Sequence, residues 1–190
     1  AENLYIECLR DREAGAQYVA GTRRGIHNDR PVTPAYGLNR EGSGDMYPKG
    51  GNMLHLIRQV IHDDERWRRI LRGLNQVYRH RIVTARQVEE YISQESGIAF
   101  GPVFAQYLTT TQIPTLEYRI DGSTLAYRWA NVVPGFDIPL PVTLGDEGYS
   151  LIRPTTNWQQ ATLAHPDEFQ VDPDYYVLVK RLTAESGRGP

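Results

Sequence analysis

Residues 112–129 have the sequence QIPTLEYRIDGSTLAYRW, in which apolar and polar side chains alternate on both sides of a turn signal. Alternation with a period of two is typical of β-strands, and the pair Asp121-Gly122 suits a two-residue type I′ turn. The pattern therefore predicts a β-hairpin whose apolar residues share one face. The predicted cross-strand partners are Tyr118 with Leu125 and Leu116 with Tyr127.

Short segments of similar character follow the hairpin. Residues 136–144 alternate apolar side chains with polar residues and two prolines, which is typical of an edge strand because proline cannot donate to a β-ladder. Further strands are predicted at residues 149–152, 160–163 and 175–179. About six short strands in roughly seventy residues favour a small β-sandwich. We place it at residues 113–184 and expect residues 185–190 to form a tail.

Upstream of residue 112 the apolar side chains recur at helical spacing instead. One helix is predicted over residues 2–25, and four more begin near residues 45, 64, 84 and 102, with a loop at 26–44. Thr84 and Gln87 are spaced as a capping box. In the second helix the predicted apolar stripe consists of Met53, Leu54, Ile57, Val60 and Ile61. The fold class is therefore α + β as two units, a helical array at residues 1–112 followed by the β-sandwich.

Composition excludes several classes of function. The 190 residues carry 21 Lys and Arg against 23 Asp and Glu, a formal charge of -2, so we expect no nucleic-acid partner. The arginines between residues 66 and 81 are interpreted as a solvated helix face. No apolar run is long enough for a membrane span. The single cysteine, Cys8, excludes an intrachain disulfide.

The sequence lacks H-E-x-x-H, a glycine-rich phosphate loop, G-x-S-x-G and any paired-cysteine motif. None of the five histidines is separated from another by four residues, the spacing that would place two zinc ligands on one helix face. No metal site is therefore predicted in this chain. Because the sequence begins at Ala1 without a methionine, we expect it to be a segment of a longer polypeptide.

The most informative segment for function is DMYPKGGNMLHLIRQ, residues 45–59. Asp45 suits a helix N-cap, and Tyr47 in the first turn would point its hydroxyl past the helix end. Gly50 and Gly51 are unfavourable in a helix interior, which suggests that another backbone or a ligand approaches closely. The alternative is a core tyrosine on a glycine-tolerant helix start, and periodicity alone favours that alternative.

This segment resembles the Tyr-x-Lys-Gly helix of the aminopeptidase N family of zinc metallopeptidases, the gluzincin aminopeptidases, which include leukotriene hydrolase. Residues 78–91 are similar to the basic-aromatic stretch and the Thr-containing helix start that follow in that family. The aromatic-Leu helix end and the proline within residues 104–116 also resemble the family's entry into a β-sandwich. The resemblance covers about residues 2–120 and implies that the helical unit is the C-terminal half of a thermolysin-like catalytic domain.

The resemblance implies that Tyr47 matches the family's catalytic tyrosine, whose hydroxyl hydrogen-bonds the oxyanion of the tetrahedral intermediate. Lys49 and Gly50 match motif positions, and together with Asp45 and Gly51 they are expected to shape the helix start. The zinc ligands and the general base are absent from this chain, so zinc is expected in the parent protein and no cofactor in the fragment. The implied partners are the N-terminal part of the same polypeptide and peptide substrates.

The first interpretation is a fragment, itself expected to be inactive, of a zinc aminopeptidase that removes N-terminal residues from peptides. The sequence leaves two alternatives to it. One is a non-enzymatic helical and β-sandwich module that binds protein or carbohydrate, in which Tyr47 merely packs. The other is a catalytically dead relative of the family, which would look identical over these residues. An H-E-x-x-H motif encoded upstream of Ala1 would support the enzyme, and its absence would support the non-enzymatic module.

Overall fold

A computed structural model describes residues 2–35, 37 and 40–183 of the chain. The chain divides into two compact units, Ala1–Thr111 and Gln112–Pro190. The first unit is helical and the second contains β-strands, so the predicted α + β arrangement in two units is confirmed. The predicted boundary after residue 112 stays a prediction, and the predicted tail at 185–190 lies outside the described residues.

Six α-helices form the described part of the first unit, with a 3₁₀ turn after the second and a π-helix continuing the sixth. They are α1 (Glu2–Leu9), α2 (Arg12–Gly21), the 3₁₀ turn (Thr22–Gly25), α3 (Met46–Ile61), α4 (Asp64–Tyr78), α5 (Ala85–Ser96), α6 (Gly101–Phe104) and the π-helix (Ala105–Thr109). None of the helices in the described residues combines the length and the apolar composition needed to cross a membrane.

The prediction of a single helix over residues 2–25 is wrong, because the chain breaks between α1 and α2. Asp11 has an extended backbone, and its carboxylate accepts a hydrogen bond from the Ala14 N–H at 2.8 Å, so it caps α2 as a new helix. Gly15 allows the two helices to approach closely, since a Cβ there would lie 3.0 Å from the Cβ of Glu7. Residues 10–17 carry no large apolar side chain, so the apolar periodicity could not locate the break.

The predicted helix boundaries hold where a cap determines them. Thr84 and Gln87 form the complete capping box at the start of α5, each side chain accepting from the other residue's backbone N–H. Gly97 ends the same helix in the left-handed region at φ 71°.

The core of the helical unit is mostly apolar, but the inner face of α3 is not. The apolar residues buried in this unit include Met53, Leu56, Ile57, Ile61, Trp67, Ile70, Ile92, Phe100, Val103, Phe104 and Tyr107. The predicted α3 stripe is wrong at Leu54, which is 37% exposed. Lys49, Asn52 and Arg58 are buried instead. Their polar groups need hydrogen-bond partners inside the unit, since an unpaired polar group is costly to bury.

The second unit contains a four-stranded and a two-stranded sheet within the described residues. The strands are β1 (Thr115–Asp121), β2 (Thr124–Ala130), β3 (Leu140–Gly145), β4 (Gly148–Ile152), β5 (Gln159–Thr162) and β6 (Leu178–Arg181). The larger sheet has the order β5-β2-β1-β6, with β1 and β6 parallel, and β3 pairs with β4. The two residues that follow β5 connect the two sheets. The Leu163 N–H donates to the Ser123 carbonyl in the β1–β2 turn, and the Ala164 N–H donates to the Leu144 carbonyl in β3.

Some predicted strand limits in this unit are wrong. β3 begins at Leu140 and not at residue 136, and β6 starts three residues later than predicted, at Leu178. Phe136 and Ile138 are buried although they lie outside the strand. Their apolar alternation therefore reflects burial of the side chains, and not backbone hydrogen bonding to a neighbouring strand.

The predicted hairpin is present, but its register is shifted. Tyr118 lies opposite Tyr127, two residues beyond its predicted partner. The turn residues are Gly122 and Ser123, and Gly122 has a φ of 54°, a pattern typical of type II′ turns and not of the predicted Asp121-Gly122 turn. A shift of two residues leaves every side chain on the same face, so the alternation could not distinguish the two registers.

Candidate functional site

Tyr47 lies in the first turn of α3, and its side chain points away from the core of the helical unit. The residue is 82% exposed, the highest exposure of any tyrosine in the part of the chain that the structure describes. The interpretation of Tyr47 as a core residue is therefore wrong for this chain. An exposed phenol at a helix start can donate a hydrogen bond to a group that approaches from solvent.

Asp45 occupies the N-cap position of α3, but it does not cap that helix. Its backbone is already helical, at φ -66° and ψ -5°, and its side chain makes no capping hydrogen bond. The carboxylate is 2% exposed and accepts from the N–H groups of His27 at 3.0 Å and Asn28 at 2.6 Å. Burial acts to raise the pKa of Asp45, but these two backbone donors, with His27 and Lys49 nearby, lower it. Asp45 thus fastens the loop before α3 to the helix start.

Lys49 is fully buried, with 0% of its surface exposed. Its Nζ donates to the backbone carbonyl of Thr110 at 2.8 Å, immediately after the π-helix. The Thr110 hydroxyl in turn donates to the Gln106 carbonyl at 2.6 Å. Burial lowers the pKa of Lys49, whereas the Asp45 carboxylate acts in the opposite direction. Lys49 thus fastens α3 to the end of the π-helix.

The two charged anchors and Tyr47 lie on opposite sides of α3. Asp45 and Lys49 are four residues apart and therefore on one side, whereas Tyr47 is two residues from each, about 200° around the helix. The burial agrees, since both anchors are buried and Tyr47 is exposed. The first turn of α3 therefore presents Tyr47 outward while its inner side is held by two ionic side chains.

The glycines that follow are not required by packing among the described residues. A Cβ built at Gly50 meets no atom within 4 Å, and one at Gly51 meets only the Val19 Cγ2 at 4.0 Å, an ordinary contact. The close approach predicted from these glycines is therefore not made by the described part of this chain. With respect to the described residues, the space beside Gly50 is open.

We expect Gly50→Ala to stabilise this chain. Alanine is favoured over glycine inside a helix by about 0.5–1 kcal/mol, and the added methyl group meets no described atom. Urea unfolding followed by the helical circular dichroism signal measures the change in the free energy of unfolding. Gly73→Ala is the control and is expected to destabilise the chain, because a Cβ there would lie 2.0 Å from the Tyr91 hydroxyl. A loss of stability in Gly50→Ala would show that the helix start is packed more tightly than the structure indicates.

Asn52 completes the inner side of α3 and was not singled out from the sequence. It is 0% exposed, and its Nδ2 donates to the carbonyls of Val19 at 3.0 Å and Pro48 at 2.9 Å. Its Oδ1 accepts from the Arg23 Nε at 2.6 Å. Asp45, Lys49 and Asn52 recur at helical spacing, so a polar stripe was visible in the sequence beside the apolar one.

A second ionic cluster lies near the other end of α3. Arg58 has a side chain 3% exposed, and its guanidinium donates to both Glu7 oxygens at 2.6 and 2.9 Å and to Asp64 at 2.8 Å. The hydrogen bonds that Arg58 donates lower the pKa of Glu7 and the pKa of Asp64. The same hydrogen bonds raise the pKa of Arg58. This cluster was not predicted from the sequence, because its members come from three helices.

The described residues do not fit a zinc ion. Within residues 2–35, 37 and 40–183, no group of three or more His, Cys, Asp and Glu side chains is arranged to hold a metal. Zinc in proteins is usually held by three or four such ligands. The candidate site among the described residues is therefore a tyrosine on an anchored helix start.

Comparisons with known proteins support the fold. No family model matches the sequence, and no curated protein matches it. A crystal structure of Legionella pneumophila aminopeptidase A in complex with aspartic acid is similar, with a TM-score of 0.52 and 13% sequence identity. The match covers 90% of this chain and 23% of that chain, so this chain spans about a quarter of the aminopeptidase's length. At this identity the likeness shows the fold alone.

Proposed function

We propose that this chain is the C-terminal part of a zinc-dependent aminopeptidase, in which Tyr47 stabilises the oxyanion formed during peptide hydrolysis. The observation that carries the proposal is an 82% exposed tyrosine in a helix turn whose neighbours Asp45 and Lys49 are buried. The structural similarity of 90% of this chain to part of an aminopeptidase supports the class of parent protein. In this proposal the zinc ligands come from the N-terminal part of the same polypeptide.

The chemistry needs a donor that is already in place when charge develops. Hydrolysis of a peptide converts the neutral carbonyl oxygen into an oxyanion, and a positioned hydrogen-bond donor lowers the energy of that state. The Tyr47 O–H is such a donor, and its place near the N-terminus of α3 adds the positive end of the helix dipole. Because the first turn is anchored, little reorganisation is needed at the moment of reaction. The open space beside Gly50 gives room for a peptide backbone near the phenol.

The non-enzymatic module is less well supported. That alternative assigns Tyr47 a packing role, whereas the side chain is exposed in this chain. A catalytically dead relative would share the same geometry, so activity of the parent protein has to be measured.

We expect the isolated 190-residue chain to hold no stoichiometric zinc and to hydrolyse no aminoacyl anilide, because the described residues bring no metal ligand set together. The parent polypeptide, with an H-E-x-x-H motif encoded upstream, is expected to hold one zinc and to release the anilide. Metal analysis after dialysis and the anilide assay test both proteins. One tightly bound zinc per isolated chain, or a parent without the motif, would contradict the proposal.

A further inference from the structure

We propose that Lys49 is a positioning residue, which fixes the Tyr47 hydroxyl by tying the first turn of α3 to the carbonyl of Thr110. This inference rests on the proposed role of Tyr47. It assigns a second residue to the same site and gives the buried charge a function.

The contacts place Lys49 directly behind Tyr47. Its ammonium lies 2.8 Å from the Thr110 oxygen, and its side chain is buried on the side of the helix opposite to the exposed phenol. Asp45, one turn earlier on the same side, is held by His27 and Asn28. The turn that carries Tyr47 is thus held at two points, by Asp45 two residues before it and by Lys49 two residues after it.

A buried ammonium is an unusual choice for a purely structural contact. Burying a charge costs more than burying an apolar side chain of the same length, so methionine at this position would fill the space with less desolvation. What methionine cannot supply is a directed hydrogen bond to one carbonyl. That carbonyl follows a π-helix, a rare and specific backbone geometry that is frequent at functional sites. A directed hydrogen bond to a carbonyl in this backbone geometry indicates that Lys49 fixes the position of the first turn of α3.

A double-mutant cycle in the intact parent tests the inference. We expect Lys49→Met to lower kcat by about 10- to 100-fold with an almost unchanged KM, since small displacements of a catalytic group cost that much. In the Tyr47→Phe background the same substitution is expected to lower kcat by less than about twofold, because Lys49 acts through the hydroxyl that is already missing. Lys49→Gln, which keeps a polar donor but is too short to reach Thr110, takes its place in the cycle if Lys49→Met does not fold.

Ile57→Val is the matched control for a change in packing. Ile57 is 0% exposed on the same helix and has no part in the proposed site, so its truncation is expected to leave kcat of the folded protein unchanged in both backgrounds. If the losses from Lys49→Met and Tyr47→Phe multiply, the positioning role is wrong while the proposed function stands. If Tyr47→Phe retains full kcat, the proposed function fails, and the inference fails with it.

Discussion

Tyr47→Phe in the intact parent is expected to lower kcat and kcat/KM together by about 10²- to 10³-fold, with KM nearly unchanged. The proposed hydrogen bond forms to charge that develops only in the transition state, so its loss does not weaken binding of the neutral substrate. The phenyl ring remains, and the residue is 82% exposed in this chain. The melting temperature and the zinc content should therefore stay the same. Steady-state kinetics on an aminoacyl anilide, with metal analysis of the same preparation, measure these quantities.

Tyr149→Phe is the control for loss of an exposed tyrosine hydroxyl elsewhere in the chain. Tyr149 is 47% exposed in β4, and we expect its substitution to leave kcat unchanged. If Tyr47→Phe kept more than about a third of the parental kcat, the loss would be far smaller than that of an oxyanion donor, and the catalytic role would be wrong.

The parts of the fold that the sequence predicted are those set by local chemistry. The capping box at Thr84 and the helix-ending Gly97 depend on residues within a few positions of one another, and both are present. The hairpin was predicted on its correct faces but in the wrong register. Alternation repeats every two residues, so only the geometry of Gly122 and Ser123 selects the pairing.

The candidate site was predicted less completely, because its anchors depend on distant contacts. The position of Tyr47 in the first turn followed from Asp45 and the helical pattern. The partner of Asp45 is a loop backbone 17 and 18 residues upstream, and that of Lys49 is a carbonyl 61 residues downstream. Backbone donors and acceptors carry no sequence signature. The burial of Lys49 therefore could not be deduced from residue types alone.

Arg58→Met is expected to cost the helical unit about 3 kcal/mol of unfolding free energy, because it removes the cation shared by Glu7 and Asp64 and leaves Asp64 with only the exposed Arg12, at 3.0 Å. The guanidinium side chain is 3% exposed, and the side chains of Glu7 and Asp64 are 15% and 27% exposed. Solvent thus reaches the carboxylates in part, which places the loss at the lower end for a broken buried pair. Urea unfolding followed by the helical circular dichroism signal measures it. Arg68→Met is the matched control, since its pair with Glu65 is 48% and 69% exposed, and its loss should stay below about 1 kcal/mol.

The pH dependence separates the loss of the ion cluster from a simple packing defect. The folded-state pKa values of Glu7 and Asp64 are lowered by Arg58, so their contribution to stability is present above their ordinary pKa values and is lost as the pH falls through the lowered ones. Without Arg58 the acid side of the stability profile should therefore flatten. Adding Glu7→Gln and Asp64→Asn to Arg58→Met should recover part of the stability, because neither carboxylate is then left charged without Arg58, and Arg12, which loses its partner Asp64, is 56% exposed. An Arg58→Met loss no larger than that of Arg68→Met would show that the cluster contributes no more than an exposed ion pair.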